Sequence, residues 1–175
     1  MNPYEYVRLN TLDKETLLSL CTGIGFELQG NTASKITAVD ISAPYCEVLK
    51  GKFPNITVIN SPAHLYLQNE DTESYDIVSC IDGLEHMTKE EGIILLEEAK
   101  RVCKKRVIIF TQIGYLRNEP HDAWGISGAD EYQTHKSGWE VSEVESFGYK
   151  LVDQWDDISQ HGEKYTAVVY YYNKD

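Results

Sequence analysis

Residues 16–42 are TLLSLCTGIGFELQGNTASKITAVDIS. Two short apolar runs, 16–21 and 36–40, flank a turn built on Gly23 and Gly25. Runs of this length without polar alternation suit strands buried on both faces of a sheet. Similar runs occur at 56–60 (ITVIN), 75–81 (YDIVSCI) and 106–112 (RVIIFTQ). Helical patterns lie between them, near 26–32, 43–52, 62–69 and 88–103. The last is the best marked. Ile94, Leu95, Glu98, Ala99 and Val102 repeat at helical spacing, and Thr88 with Glu91 forms a capping box. Past residue 112 the pattern changes to a polar, aperiodic segment, 113–138, carrying four glycines and Pro120. A short helix near 139–147 ends at Gly148, and two more strands follow near 149–157 and 163–172. So short a gap admits no crossover, so these two pair antiparallel. The expectation is a single α/β domain over 1–175, a three-layer αβα arrangement around a doubly wound, mostly parallel seven-stranded sheet with its last strand antiparallel.

Charge and cysteine usage narrow the function classes. The chain carries 16 Lys and Arg against 28 Asp and Glu, a net charge of -12. That field repels nucleic acid unless a basic stripe offsets it. The only basic cluster, Lys100, Arg101, Lys104, Lys105 and Arg106, sits at a helix end, where positive charge complements the helix dipole. Nucleic acid is therefore an unlikely partner, and a small-molecule substrate is favoured. Cys21, Cys46, Cys80 and Cys103 show no metal-ligand spacing, and no compact ligand pattern predicts a metal. No apolar run approaches membrane-spanning length and no leader pattern is present, so a cytoplasmic protein without a membrane partner is expected.

The turn at Gly23 and Gly25 lets a ligand approach the backbone, and a following helix N-terminus would favour negative charge there. A Gly-x-Gly turn alone serves backbone geometry as often as ligands. Asp40, at the end of the second run, is placed to accept hydrogen bonds from both ribose hydroxyls of a nucleoside cofactor. A nicotinamide oxidoreductase uses the same two devices. Against it, Leu28 stands where a third glycine is expected, and no Tyr-x-x-x-Lys pair occurs. A non-catalytic Rossmann-like binding module is the other alternative.

With LLSLCTGIG, ITAVDIS, YDIVSCIDGLEHM and AKRV in this order, the chain resembles class I S-adenosylmethionine-dependent methyltransferases of the small-molecule type over about residues 16–158. The resemblance implies transfer of a methyl group from S-adenosylmethionine to a small-molecule acceptor, with a protein acceptor less favoured. Carried over by position, Cys21, Gly23 and Gly25 border the methionine moiety and Asp40 holds the ribose. Ile41 packs on adenine, and Ala63 and His64 lie at its edge. Cys80, Ile81 and Asp82 line the methyl-transfer site. Three positions depart from the family pattern: Ser19 replaces an acid, Cys21 a glycine, and Ser61-Pro62-Ala63 stands where an acid often follows the third strand.

His86 is either a general base or, with Glu85, an organiser of the following helix. His135, His121 and Tyr115 lie where an acceptor would meet the methyl group, so His86 and His135 are the catalytic candidates and Asp82, Tyr115, His121 and His135 the substrate candidates. Only about 15 residues precede the first strand. Cover for the site must come from the 113–138 segment or from a second subunit in a homodimer, or the site is open.

Overall fold

The computed structural model describes residues 2–118, 120, 124–159 and 161–174. Its strands are β1 (Thr16–Leu20), β2 (Lys35–Asp40), β3 (Thr57–Asn60), β4 (Tyr75–Ile81), β5 (Cys103–Gln112), β6 (Lys150–Ile158) and β7 (Lys164–Asn173). They form one sheet in the order β3-β2-β1-β4-β5-β7-β6. β1 is central, parallel to β2 and β4, with Ser19 opposite Ala38 on one side and Ser79 on the other. β7 runs antiparallel to both β5 and β6. The doubly wound arrangement with a reversed last strand is therefore present.

Alternate side chains of the central strands feed two cores. Leu17, Ile77 and Ile108 pack on one face with Val7 of helix α1 (Pro3–Leu9) and Leu49 of α2 (Ala43–Lys52). Leu18, Leu20 and Val78 pack on the other with α3 (Ala63–Gln68), α4 (Lys89–Val102) and α5 (Val141–Ser146). On α4, Leu95, Leu96, Ala99 and Val102 are fully buried. Thr88 and Glu91 close the expected capping box. Gly92 sits on that buried face because a Cβ there would collide with the Trp139 ring. Trp139 is itself fully buried, donates from Nε1 to Ser137 Oγ at 2.9 Å, and has Lys89 Nζ 3.8 Å from its ring centre.

Two elements differ from expectation. The helix expected at 26–32 is only a single 3-10 turn, Phe26–Leu28. Gly25 and Gly30 bracket it in the left-handed region, with φ of 83° and 70°, which ends helical propagation on both sides. In its place α1, which sequence periodicity did not reveal, covers that face of the sheet. The Asn2 side chain caps α1, Pro3 opens it, and Tyr4 packs on Phe26 with ring centres 5.3 Å apart. The helix is also tied to the β6–β7 hairpin. The Tyr6 hydroxyl donates to Asp153, and the neighbouring Asn10 amide donates to the Tyr171 hydroxyl at 2.8 Å.

The basic cluster is consumed structurally, as expected. Lys100 donates to the Phe147 carbonyl, Arg101 to Glu98 and the Leu67 carbonyl, and Lys105 to Glu15. Arg106 lies over the Tyr171 ring.

Candidate functional site

The C-terminal ends of β1, β2 and β4 open into a cavity of about 470 Å³. This is the edge at which open α/β sheets receive ligands. At its wall the Gly23 N–H donates to Asp40 Oδ2 at 2.7 Å, and the Ser42 N–H donates to Oδ1 at 2.8 Å. Burial pushes the Asp40 carboxyl up to about 6, against the opposing pull of those two hydrogen bonds. Each carboxylate oxygen has a second acceptor direction, so both ribose hydroxyls can still be accommodated. Asn60 Nδ2 holds the Asp40 and Ile41 carbonyls at 3.0 and 2.8 Å, which fixes the strand end. Ile41 is half-exposed on the cavity wall, and Ala63 and His64 line it as well.

Cys21, Gly23, Asp40, Ile41, Ala63, His64 and Asp82 thus share one cavity. Gly25, Cys80 and Tyr115 do not line it. Gly25 turns toward α2, where a Cβ would come within 2.6 Å of Phe53 and 2.9 Å of Leu49. Cys80 is fully buried, packed beside Cys21 below Gly83, where a Cβ would meet both residues. Ile81 lines a small adjoining recess with Cys21, Gly23, Glu27 and Asp82. Cys21 and Asp82 hold φ of 53° and 50°, a conformation costing a non-glycine residue about 1–3 kcal/mol. Their opposed positions at the ends of β1 and β4 concentrate that strain at the site.

Sequence reasoning missed Glu27. Ser19 stands where the family resemblance leads to the expectation of an acid, and its Oγ donates to Glu27 Oε1 at 2.6 Å. The 3-10 turn therefore returns a carboxyl group to the vacated place. Read as a helical residue at 26–32, Glu27 has no reason to face inward; the missing acid at Ser19 was the only signal. Glu27 is 3% exposed, and burial pushes its carboxyl up to about 8, partly offset by the Ser19 hydrogen bond. Burial also raises Asp82 and Glu85, and Asp82 raises Glu85 further. Among the described residues, no Lys or Arg forms an ion pair with any of these four acids, Glu27, Asp40, Asp82 and Glu85. Trp124, from the 113–138 segment, places its ring edge over Gly23 and packs on Phe26 and Tyr45.

The two candidate catalytic histidines meet. The His86 and His135 rings are 4.7 Å apart, edge to face. His135 is 8% exposed, and its Nδ1 lies 2.6 Å from the Leu116 carbonyl. His86 Nδ1 lies 3.3 Å from the Thr134 carbonyl. Glu85 also organises this region, since its carbonyl accepts the Lys136 and Ser137 N–H groups. The end of the 113–138 segment is thereby fixed to the turn after β4. Tyr115 is 61% exposed and donates its hydroxyl to the His135 carbonyl. His121 lies outside the described residues. Where the sequence predicts no metal, ligand atoms of Glu85, His86 and His135 all lie within 4.8 Å of one another.

The sequence profile described as "Methyltransferase domain" matches residues 18–106. No curated protein matches the chain in sequence. Solved structures resemble it throughout. The YcgJ protein of Bacillus subtilis is 13% identical over 98% of this chain and 97% of its own, with a TM-score of 0.74. The 1,6-didemethyltoxoflavin-N1-methyltransferase of Burkholderia thailandensis, solved with 1,6-didemethyltoxoflavin and S-adenosylhomocysteine, is 15% identical over 99% of this chain and 78% of its own, with a TM-score of 0.67. A SAM-dependent methyltransferase from Aquifex aeolicus is 17% identical over 97% of this chain and 89% of its own, with a TM-score of 0.61. At these identities the structural likenesses establish the fold.

Proposed function

This chain belongs to the methyltransferase-domain family and depends on S-adenosylmethionine, and from that premise we propose that it methylates a small-molecule acceptor seated beside Asp82, His86 and His135. The observation that carries this reading is that the glycine turn at Gly23 and the strand end at Asp40, hydrogen-bonded to each other, open on one cavity with Ile41, Ala63, His64 and Asp82. Against a nicotinamide dinucleotide, the glycine turn has only a 3-10 turn and no α-helix N-terminus behind it to receive a pyrophosphate.

When bound, the cofactor supplies a methyl group already activated on a positively charged sulfur. The rest of the work belongs to the chain. Asp40 takes the ribose hydroxyls, Ile41 covers adenine, and Ala63 and His64 bound its edge. Glu27 and Asp82, in the recess beside Gly23, receive the ammonium of the methionine moiety. His86 and His135 flank the acceptor and orient it toward the methyl group. A cavity of about 470 Å³ is of small-ligand size. The toxoflavin-type substrate held by the Burkholderia enzyme supports an acceptor of that kind. The cavity lining described here comes from one chain, with cover from Trp124 and Tyr132, so a homodimer is not needed to complete the wall. Four free thiols support a reducing compartment such as the cytoplasm, and among the described residues no helix is long and apolar enough to cross a membrane.

Titration calorimetry tests the reading. S-adenosylmethionine and S-adenosylhomocysteine should bind saturably and NAD should not. A folded protein that binds neither sulfur compound overturns it.

A further inference from the structure

We propose that Glu85, His86 and His135 form a binding site for a divalent first-row transition ion, which holds an oxygen atom of the acceptor against the methyl-transfer site. The first ground is convergence. One carboxylate and two imidazoles, drawn from the turn after β4 and from a segment some fifty residues further on, bring their ligand atoms within 4.8 Å of one another. Two imidazoles and a carboxylate are a donor set that transition ions favour, and three protein ligands leave positions open to a substrate.

The second ground is that each ligand is held in place by a partner of its own. Thr111 Oγ1 donates to Glu85 Oε2 at 2.9 Å, which aims the carboxylate. At His135 Nδ1 the 2.6 Å contact with the Leu116 carbonyl is far closer than the 3.4 Å contact with Gln112 Nε2, and the shorter one sets the tautomer. A carbonyl only accepts, so Nδ1 carries the hydrogen toward Leu116, and the lone pair of the neutral ring is on Nε2. The longer His86 Nδ1 contact with the Thr134 carbonyl favours the same tautomer. Imidazoles that ligate metals are commonly steered through their other nitrogen in this way. The Glu85 carbonyl, accepting from Lys136 and Ser137 at 2.8 and 3.1 Å, locks the two ligand-bearing segments together.

The third ground is charge and place. Glu85 is 1% exposed and Asp82 lies close to it, in a cavity that Arg117 and Lys136 also line. A divalent cation there would sit against both carboxyl groups. Glu85, His86 and His135 all line the cavity that holds Asp82, so an ion there faces the acceptor. The acceptor class that follows carries a hydroxyl or phenol oxygen. This role, though not the ion site itself, rests on the methyltransferase reading above.

Cobalt(II) alone is the probe, titrated into the full chain with and without S-adenosylhomocysteine and followed by its visible absorption bands. The expected result is one saturable site per chain, weakened at least about tenfold by His135→Gln and by His86→Gln. Glu85→Gln should behave likewise. If its buried site does not tolerate the change, the more exposed His86→Gln carries the test, with circular dichroism confirming the fold. Absence of saturable cobalt uptake by the wild type overturns the site, as does uptake that the histidine variants leave unchanged. S-adenosylhomocysteine binding, measured separately by calorimetry, distinguishes the two readings. Cobalt binding without it sustains the ion site and overturns the acceptor role. S-adenosylhomocysteine binding without cobalt sustains the methyltransferase and overturns the ion site.

Discussion

The Gly23 N–H donates to Asp40 Oδ2 at 2.7 Å, joining the glycine loop to a strand end 17 residues later. One carboxylate therefore shapes the loop and, in the proposed function, also holds the ribose. The two tasks use different acceptor directions of the same two oxygens, so a substitution at Asp40 strikes both.

Asp40→Ala should weaken S-adenosylhomocysteine at least about a hundredfold. Two charge-assisted bonds to ribose at about 1.5–3 kcal/mol each set the scale. Protein stability should also fall, because the Gly23 and Ser42 donors lose their acceptor. Calorimetry and urea unfolding read the two effects. Unchanged affinity would remove Asp40 from the ligand site.

Gly25→Val should act on the fold first. Its Cβ meets Phe53 and Leu49, and a β-branched residue at φ 83° is strained. A loss of about 3 kcal/mol in stability is expected, from overpacking together with backbone strain. Cofactor affinity should follow that loss, since Gly25 does not line the cavity. Full stability with abolished binding would show that the residue touches the ligand after all.

Stability without ligand should fall as pH rises from the acid side. Glu27 moves from an ordinary 4.5 to about 8 in the fold, with burial the main cause. Below 4.5 both states keep the proton; between 4.5 and 8 the unfolded chain releases it while the folded chain retains it, so its stabilising contribution is lost through that window. Asp40 adds the same sign between 3.8 and about 6. Thermal melts from about pH 5 to 8 should slope downward, and Glu27→Gln should flatten part of that slope. A melting temperature that rises across the window in the wild type would contradict burial of these groups.

Gly92→Ala should destabilise by about 1–3 kcal/mol, although alanine is the better helix former. The added methyl collides with Trp139, whose ring fills the space beside α4. Gain in stability on this substitution would mean that Trp139 packs elsewhere.

Strand content was legible because β1, β2, β4 and β5 are buried on both faces and so read as continuous apolar runs. Asp40 was legible because strand-end position and residue type coincide. Helix α1 escaped because its seven residues, with Val7 as its only buried member, are too few for a periodic signal. Glu27 escaped for a different reason. Its burial depends on a hydroxyl from Ser19, a contact between a strand and a turn that periodicity cannot register. The union of Glu85 and His86 with His135 is likewise tertiary, made by main-chain bonds from residues 136 and 137 to the Glu85 carbonyl.

The strand order has a consequence for synthesis on the ribosome. β7 lies between β5 and β6, so β6 cannot join the sheet until residues 164–173 have emerged. Until then the nascent chain presents β5 as an open edge, with Val107, Ile108, Ile109 and Phe110 ready to pair with any extended segment. The interval between translation of residue 112 and release of residue 173 from the exit tunnel is therefore when this protein is most exposed to misassembly. Slowing elongation there should lower the soluble yield more than slowing it anywhere upstream.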